Sequence, residues 1–254
     1  MTAWDPAAYR RFSNERFAPF EDLLALVRAG PGACAVDLGC GTGELTQLLA
    51  ESLPGADVVG IDASAAMLEK AAPRARPGLR FERSTIEDLT GSFDLVFSNA
   101  ALQWCADHAT LFARLYALLR PGGQFVAQFP AQQRPASYAA IAAIAAQEPF
   151  RTALRGWLQP WPVLALEDYA RLFADLGATG IAALERVYPH QLADADAVAD
   201  WQSGTVLLAY RDRLDAGDYE RFAGAVRARL RELMPERPVF FAFRRAFVAA
   251  TRPE

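Results

Sequence analysis

The chain has 254 residues, 52% hydrophobic and 22% charged, with 26 basic and 30 acidic side chains and a net charge of −4. This is the composition of a globular protein with one large core, and it has no basic excess to suggest a nucleic-acid partner. No apolar run reaches the ~20 residues needed to span a membrane, and the charged opening MTAWDPAAYRRFSNER does not read as a secretory signal. Cys34, Cys40 and Cys105 form neither a CxxC pair nor a regular framework. Reduced thiols and a cytoplasmic location are therefore expected.

Along the chain, Pro19 to Ala29 has helical periodicity, with Phe20, Leu23, Leu24 and Val27 on one face, and Gly30-Pro31-Gly32 stops it. Ala33 to Leu38 reads as a short buried strand, followed by a glycine loop and a helix over Glu44 to Leu53 with Leu45, Leu48 and Leu49 inward. DVVGID is a second strand ending in Asp62, and Ser64 is placed to cap a helix running through Ala72. LRFERS and FDLVFSNA are the third and fourth strands. A helix over Ala109 to Leu119 ends at Arg120-Pro121-Gly122-Gly123, and QFVAQFP is the fifth strand. Strands alternating with helices at this spacing predict a doubly wound parallel sheet, with ligands at the carboxyl ends of the strands. The polar residues that close the strands, Asp37, Asp62, Thr85 and Asn99, are expected to form one site.

Beyond Pro130 the rhythm changes. Pro135 to Gln147 reads as a helix, FRTALRGWLQPWPVLA as a connection, Leu166 to Gly177 as a helix and IAALERVYPHQL as a strand. Ala193 to Pro238 is mostly helical, and VFFAFRRAFVAATR is strongly β-prone. No linker is evident, so one domain over 1–254 is expected. Within it, 1–30 would form a lid, 33–130 a cofactor-binding core, and 131–165 with 190–238 a helical cap.

The loop Gly39-Cys40-Gly41-Thr42-Gly43 follows a strand and opens a helix, as in nucleotide-binding loops. It is bracketed by Asp37 and Glu44. A pyrophosphate would meet two carboxylates at close range, which disfavours NAD. A ligand that is cationic near the loop fits better. S-adenosylmethionine has a sulfonium, an ammonium and no phosphate, and its ribose hydroxyls suit an acid such as Asp62, nineteen residues after Gly43.

VDLGCGTG, GIDASAAML, FDLVFSNAALQW and LLRPGGQFV resemble the successive motifs of class I S-adenosylmethionine-dependent methyltransferases over about Ala33 to Pro130. The resemblance implies a Rossmann-like α/β fold, a doubly wound seven-stranded sheet whose last strand is antiparallel, with helical cap insertions. WDPAAYRRFSNER, SNAALQWCADH, YPHQL…DW and FFAFRRAFVAATR further resemble trans-aconitate methyltransferases over nearly the whole chain. This implies esterification of a carboxylate on a small organic acid, with S-adenosyl-L-homocysteine as the other product. The alternatives are another small-molecule O- or N-methyltransferase and a malonyl-carrier-protein-type carboxyl methyltransferase, whose N-x-A-x-Q-W-C pattern also matches Asn99 to Cys105.

By the family pattern, Asp37 would hold the methionine amino end, while Gly39, Cys40 and Gly41 admit the cofactor to the backbone. Asp62 and Ala63 would hold the ribose, Met67 would pack on the adenine, and Asn99 and Ala100 would lie beside the sulfur. The family's usual adenine-binding Asp is replaced by Thr85, which would act through its backbone with Ile86 packing the ring. Tyr9, Gln103, Trp104, His190, Arg155 and Arg211 are the substrate candidates. His108 is expected at the surface or capping a helix. A carboxylate nucleophile is already ionised at neutral pH, which agrees with two histidines, no metal-ligand spacing and no catalytic base. Trp157, Trp161, Phe240 and Phe241 would suit a larger or more apolar acid. The sequence leaves the oligomeric state open.

Overall fold

A computed structural model describes residues 13–131 and 136–254, with side chains from Phe17 onward except at 132–135. Tyr9 and the rest of the expected lid up to residue 12 lie outside the described residues.

The elements in order are α1 (Ser13–Leu24), β1 (Cys34–Leu38), α2 (Glu44–Ser52), β2 (Asp57–Asp62), α3 (Ala65–Ala71), β3 (Leu79–Arg83), β4 (Phe93–Asn99), α4 (His108–Ala117), β5 (Leu119–Pro130), α5 (Ala136–Ala145), α6 (Phe150–Ala153), α7 (Leu166–Asp175), β6 (Thr179–Leu192), α8 (Ala195–Ser203), α9 (Val206–Arg211), α10 (Ala216–Leu233) and β7 (Val239–Thr251). The seven strands are ordered β3-β2-β1-β4-β5-β7-β6. Strands β3, β2, β1, β4 and β5 are parallel, and β7 runs antiparallel to β5. The expected doubly wound sheet with an antiparallel last strand is observed.

The chain forms two compact units. The sheet unit comprises Phe17–Ala131, Pro162–Arg186 and Arg244–Glu254. Its central strands read CAVDL, DVVGID and FDLVFSN because both sheet faces are covered, so inward and outward side chains are alike apolar. Val36, Leu38, Val59, Ile61 and Val96 enter a core completed by an aromatic cluster of Phe112, Phe125, Phe129, Tyr169 and Phe173. The helical unit draws on 136–161 and 187–243, and Phe150, Val198, Trp201, Tyr210, Phe222, Val226 and Phe241 pack its separate core. Most of the expected cap segments fall in this unit.

Three sequence readings are corrected. The first helix is Ser13–Leu24 rather than Pro19–Ala29, and it accommodates Pro19 internally. Of the expected apolar face, Phe20 and Leu23 are buried, while Leu24 and Val27 are half-buried. On α2 the fully buried side chains are Thr46 and Leu49; Leu45 and Leu48 are half-buried. The connection after Phe150 contains one short helix, α6.

Candidate functional site

The strand order reverses between β1 and β4, and β1 is flanked there by β2 and β4. In open α/β sheets this is where a crevice opens at the carboxyl ends of the strands. Asp37 lies one residue before the end of β1, Asp62 ends β2 and Asn99 ends β4.

The glycine loop leaves β1 in left-handed backbone. At Gly39, φ is +71°, and a Cβ would come within 2.3 Å of the Ala101 Cβ, so only glycine fits. At Gly41, φ is +56° and an added Cβ would meet nothing within 4 Å, leaving an open face over the loop. The loop is tied down from β2. The Gly39 and Cys40 amides donate to the Ile61 carbonyl, and the Gly41 amide donates to Asp62 Oδ2 at 2.9 Å. Asp62 Oδ1 accepts from the Ser64 amide at 2.8 Å. Each carboxylate oxygen has two acceptor positions, so Asp62 retains capacity for a pair of hydroxyls.

Asp37 is 3% exposed. The Thr46 hydroxyl on α2 donates to its Oδ2 at 2.6 Å. Burial pushes the Asp37 carboxyl up to about 7, against that hydrogen bond, and the Asp62 carboxylate adds a smaller upward push. Burial, helped by Asp37 and Asp62, also raises the Cys40 thiol, which stays protonated and is no nucleophile. Glu44 departs from the sequence reading. It is exposed and pairs with Arg74 at 3.0 Å, so its charge is matched away from Asp37.

Around the loop, Ala63 is exposed and its carbonyl accepts from Arg83 Nε, while Met67 is half-buried on α3. The Thr85 side chain is engaged locally. Its hydroxyl donates to Asp88 Oδ2 at 2.7 Å and accepts from the Asp88 amide at 3.1 Å, capping a turn. The adjoining Ile86 is buried in the core.

At the end of β4, Asn99 Oδ1 accepts from Gln128 Nε2, and Gln128 Oε1 accepts from Arg245 Nε at 2.6 Å. This buried chain fixes the Asn99 amide. Ala100 is left-handed, with φ +59°. Gln103 Nε2 donates to the Ala100 carbonyl at 2.7 Å, and Gln103 Oε1 is buried without a partner. Trp104 beside it is 53% exposed, a rare position for so large an apolar ring.

His108 is buried, not superficial. Its Nε2 meets the Leu102 carbonyl at 2.9 Å and its Nδ1 meets the Tyr169 hydroxyl. Burial lowers its pKa and favours the neutral ring, so it braces the segment after β4. Within the helical unit, His190 packs between Trp201 and Phe243 with ring centroids 5.7 and 5.8 Å away. Arg211 ends α9 with its Nε buried and without a partner, as is Gln159 Oε1. Arg155 is exposed in a left-handed turn. Trp157 packs on Tyr210 and lies under the Arg213 guanidinium, Trp161 stacks on Tyr138, Phe241 is core and Phe240 is exposed.

The sequence reading missed Thr46, Gln128 and Arg245. Their signal is a polar residue inside an otherwise apolar stretch: Thr46 in ELTQLL, Gln128 in FVAQFP and Arg245 in FFAFRRAF. Among the described residues, no group of three or more His, Cys, Asp or Glu is placed to hold a metal ion, and no helix is long and apolar enough to cross a membrane.

Residues 35–123 match a family described as a methyltransferase domain. The fold is similar to the YcgJ protein of Bacillus subtilis, with TM-score 0.63 at 15% identity, covering 94% of this chain and 99% of that one. It is also similar to a Haemonchus contortus phosphoethanolamine N-methyltransferase bound to S-adenosylhomocysteine, with TM-score 0.58 at 17% identity, covering 93% and 53%. Residues 35–123 are thus a methyltransferase domain on a fold shared with those structures. Over its whole length the chain is 46% identical to a trans-aconitate 2-methyltransferase of Deinococcus radiodurans, covering 99% of each. It is 37% identical to one of Paracidovorax citrulli, again covering 99% of each. The chain belongs to the trans-aconitate 2-methyltransferase family.

Proposed function

We propose that the enzyme transfers a methyl group to a carboxylate oxygen of a small polycarboxylic acid of the trans-aconitate type, in the cytoplasm and as one functional domain. The observation that carries the reading is 46% identity over 99% of both chains to a relative of that name. S-adenosylmethionine supplies an electrophilic methyl on a sulfonium. Asp37 binds its ammonium, the open face at Gly41 admits it to the backbone beside Gly39 and Cys40, and Asp62 takes the ribose hydroxyls with Ala63 alongside. Met67 and Ile86 flank the adenine, and the Thr85 segment contributes backbone groups only, since its hydroxyl is engaged by Asp88.

Asn99 and Ala100 form the wall nearest the transferring carbon. The Gln128–Arg245 chain holds the Asn99 amide in one orientation, so alignment needs no reorganisation during reaction. Gln103 and Trp104 border the acceptor and exclude water. No base is required, because a carboxylate acceptor is ionised at neutral pH. His190, Arg155 and Arg211 are the proposed anion-recognising groups. The buried Arg211 Nε supports this, since an unpaired buried donor gains more from an anion than a solvated one does.

The test is a panel of acceptors with labelled donor: trans-aconitate, longer apolar acids, phenols and amines. Transfer to trans-aconitate with base-stable transfer to none of the phenols or amines is expected. Preference for a phenol or amine would overturn carboxylate methylation. Arg211→Gln should lower kcat/KM for the acid about tenfold and leave S-adenosylhomocysteine affinity unchanged.

A further inference from the structure

Asp62 is held by backbone amides, but Asp37 is held by a side chain. Thr46 is fully buried on the first turn of α2, and its hydroxyl meets Asp37 Oδ2 at 2.6 Å. One carboxylate oxygen is thereby fixed, and the other is left for a ligand.

We propose that Thr46 is a positioning residue for Asp37, and that the Asp37–Thr46 pair couples binding of the cofactor's ammonium to release of a proton from Asp37. This rests on the reading that Asp37 meets the amino end of S-adenosylmethionine. Among the described residues, the titratable groups facing Asp37 are Asp62 at the end of β2 and Cys40 in the loop. On β4 the register partner of Asp37 is Phe97, and on α2 the contact is Thr46, neither of them ionisable. No cation among these offsets the burial of the carboxyl, so without ligand its pKa stands at about 7. An arriving ammonium supplies the missing charge. The carboxyl O–H bond breaks, the proton leaves to solvent, and an ammonium–carboxylate pair forms. The Thr46 hydroxyl donates to the ionised form and so favours this exchange.

Calorimetric titrations between pH 5.5 and 8.0 test it, with S-adenosylhomocysteine, which has the ammonium, and 5′-methylthioadenosine, which lacks it. For the unaltered protein, S-adenosylhomocysteine affinity should fall about tenfold per pH unit below pH 7, with release of about one proton at pH 6 read from two buffers of different ionisation enthalpy. The 5′-methylthioadenosine affinity should stay flat and release none. In Thr46→Val the midpoint should move up by about one pH unit, weakening S-adenosylhomocysteine about fivefold at pH 7 and about twofold at pH 8. Thr46→Ser should restore the original profile. An unchanged midpoint in Thr46→Val, or equal pH dependence for both ligands, overturns the proposal while leaving the cofactor reading intact. Failure of both ligands to bind at any pH overturns both.

Discussion

The loop end of the sheet and the helical unit handle buried polarity in opposite ways. At the loop, Asp62 accepts from two backbone amides and Asp37 from Thr46, while the glycines admit no side chain at Gly39 and leave the face at Gly41 open. In the helical unit, Arg211 Nε and Gln159 Oε1 are buried without partners. A satisfied network is rigid and suits a ligand shared by a whole enzyme class. Unsatisfied buried groups are costly at rest and gain most from a ligand that completes them. On the proposed function, the first region holds the cofactor and the second selects the acceptor.

Four changes would break or sharpen that contrast. The largest effect is expected from paired glycine substitutions. Gly39→Ala meets both a positive φ and a Cβ contact of 2.3 Å, whereas Gly156→Ala has φ +73° with nothing within 4 Å. Urea unfolding should show a loss of about 4 kcal/mol for the first and about 1 kcal/mol for the second. Equal losses would mean that the loop is no more constrained than a turn in the helical unit.

Next comes pH. The folded Asp37 carboxyl ionises at about 7 and the unfolded one near 3.8. The folded state therefore holds the proton more tightly, and the stability this contributes is full below about pH 4 and lost as pH rises through 7. Asp37→Asn removes the titration. Without ligand, the unaltered protein should lose about 3 kcal/mol relative to this variant between pH 5 and pH 8, measured by denaturant unfolding. Parallel pH profiles would place Asp37 in a more solvated setting than its burial implies.

Asp62→Ala removes the anchor of Gly41 and Ser64. S-adenosylhomocysteine affinity should fall by about 2 kcal/mol, roughly thirtyfold, by calorimetry at pH 8. Unchanged affinity would confine Asp62 to loop structure. The smallest effect is expected from Glu44→Gln, whose carboxylate is exposed and paired with Arg74. Stability should change by less than about 0.5 kcal/mol and S-adenosylhomocysteine affinity not at all. A large loss of affinity would place Glu44 at the ligand.

The legible parts of the fold were those governed by neighbours in sequence. CAVDL, DVVGID and FDLVFSN read as buried parallel strands because an apolar run of that length has few other places to go. Ser64 was readable as a cap because its hydroxyl serves Met67 three residues on. The first helix was misplaced because Pro19 normally opens a helix and here sits inside one. Glu44 counts against a phosphate in the sequence because it adjoins the loop, but Arg74, thirty residues away, pairs with it. His108 was read as superficial because its partners, the Leu102 carbonyl and the Tyr169 hydroxyl, include one sixty-one residues distant.

The sequence by itself determined that a glycine loop flanked by carboxylates closes the first strand of a doubly wound sheet. That conclusion follows from the apolar run of the strand and the steric freedom of glycine, which act over a few residues. Only the tertiary structure decided which acid carries the argument. Burial, Thr46 and Asp62 set the state of Asp37, while Arg74 neutralises Glu44 at the surface. Charge and protonation depend on what surrounds a group in three dimensions, and those surroundings are assembled from segments that the sequence keeps apart.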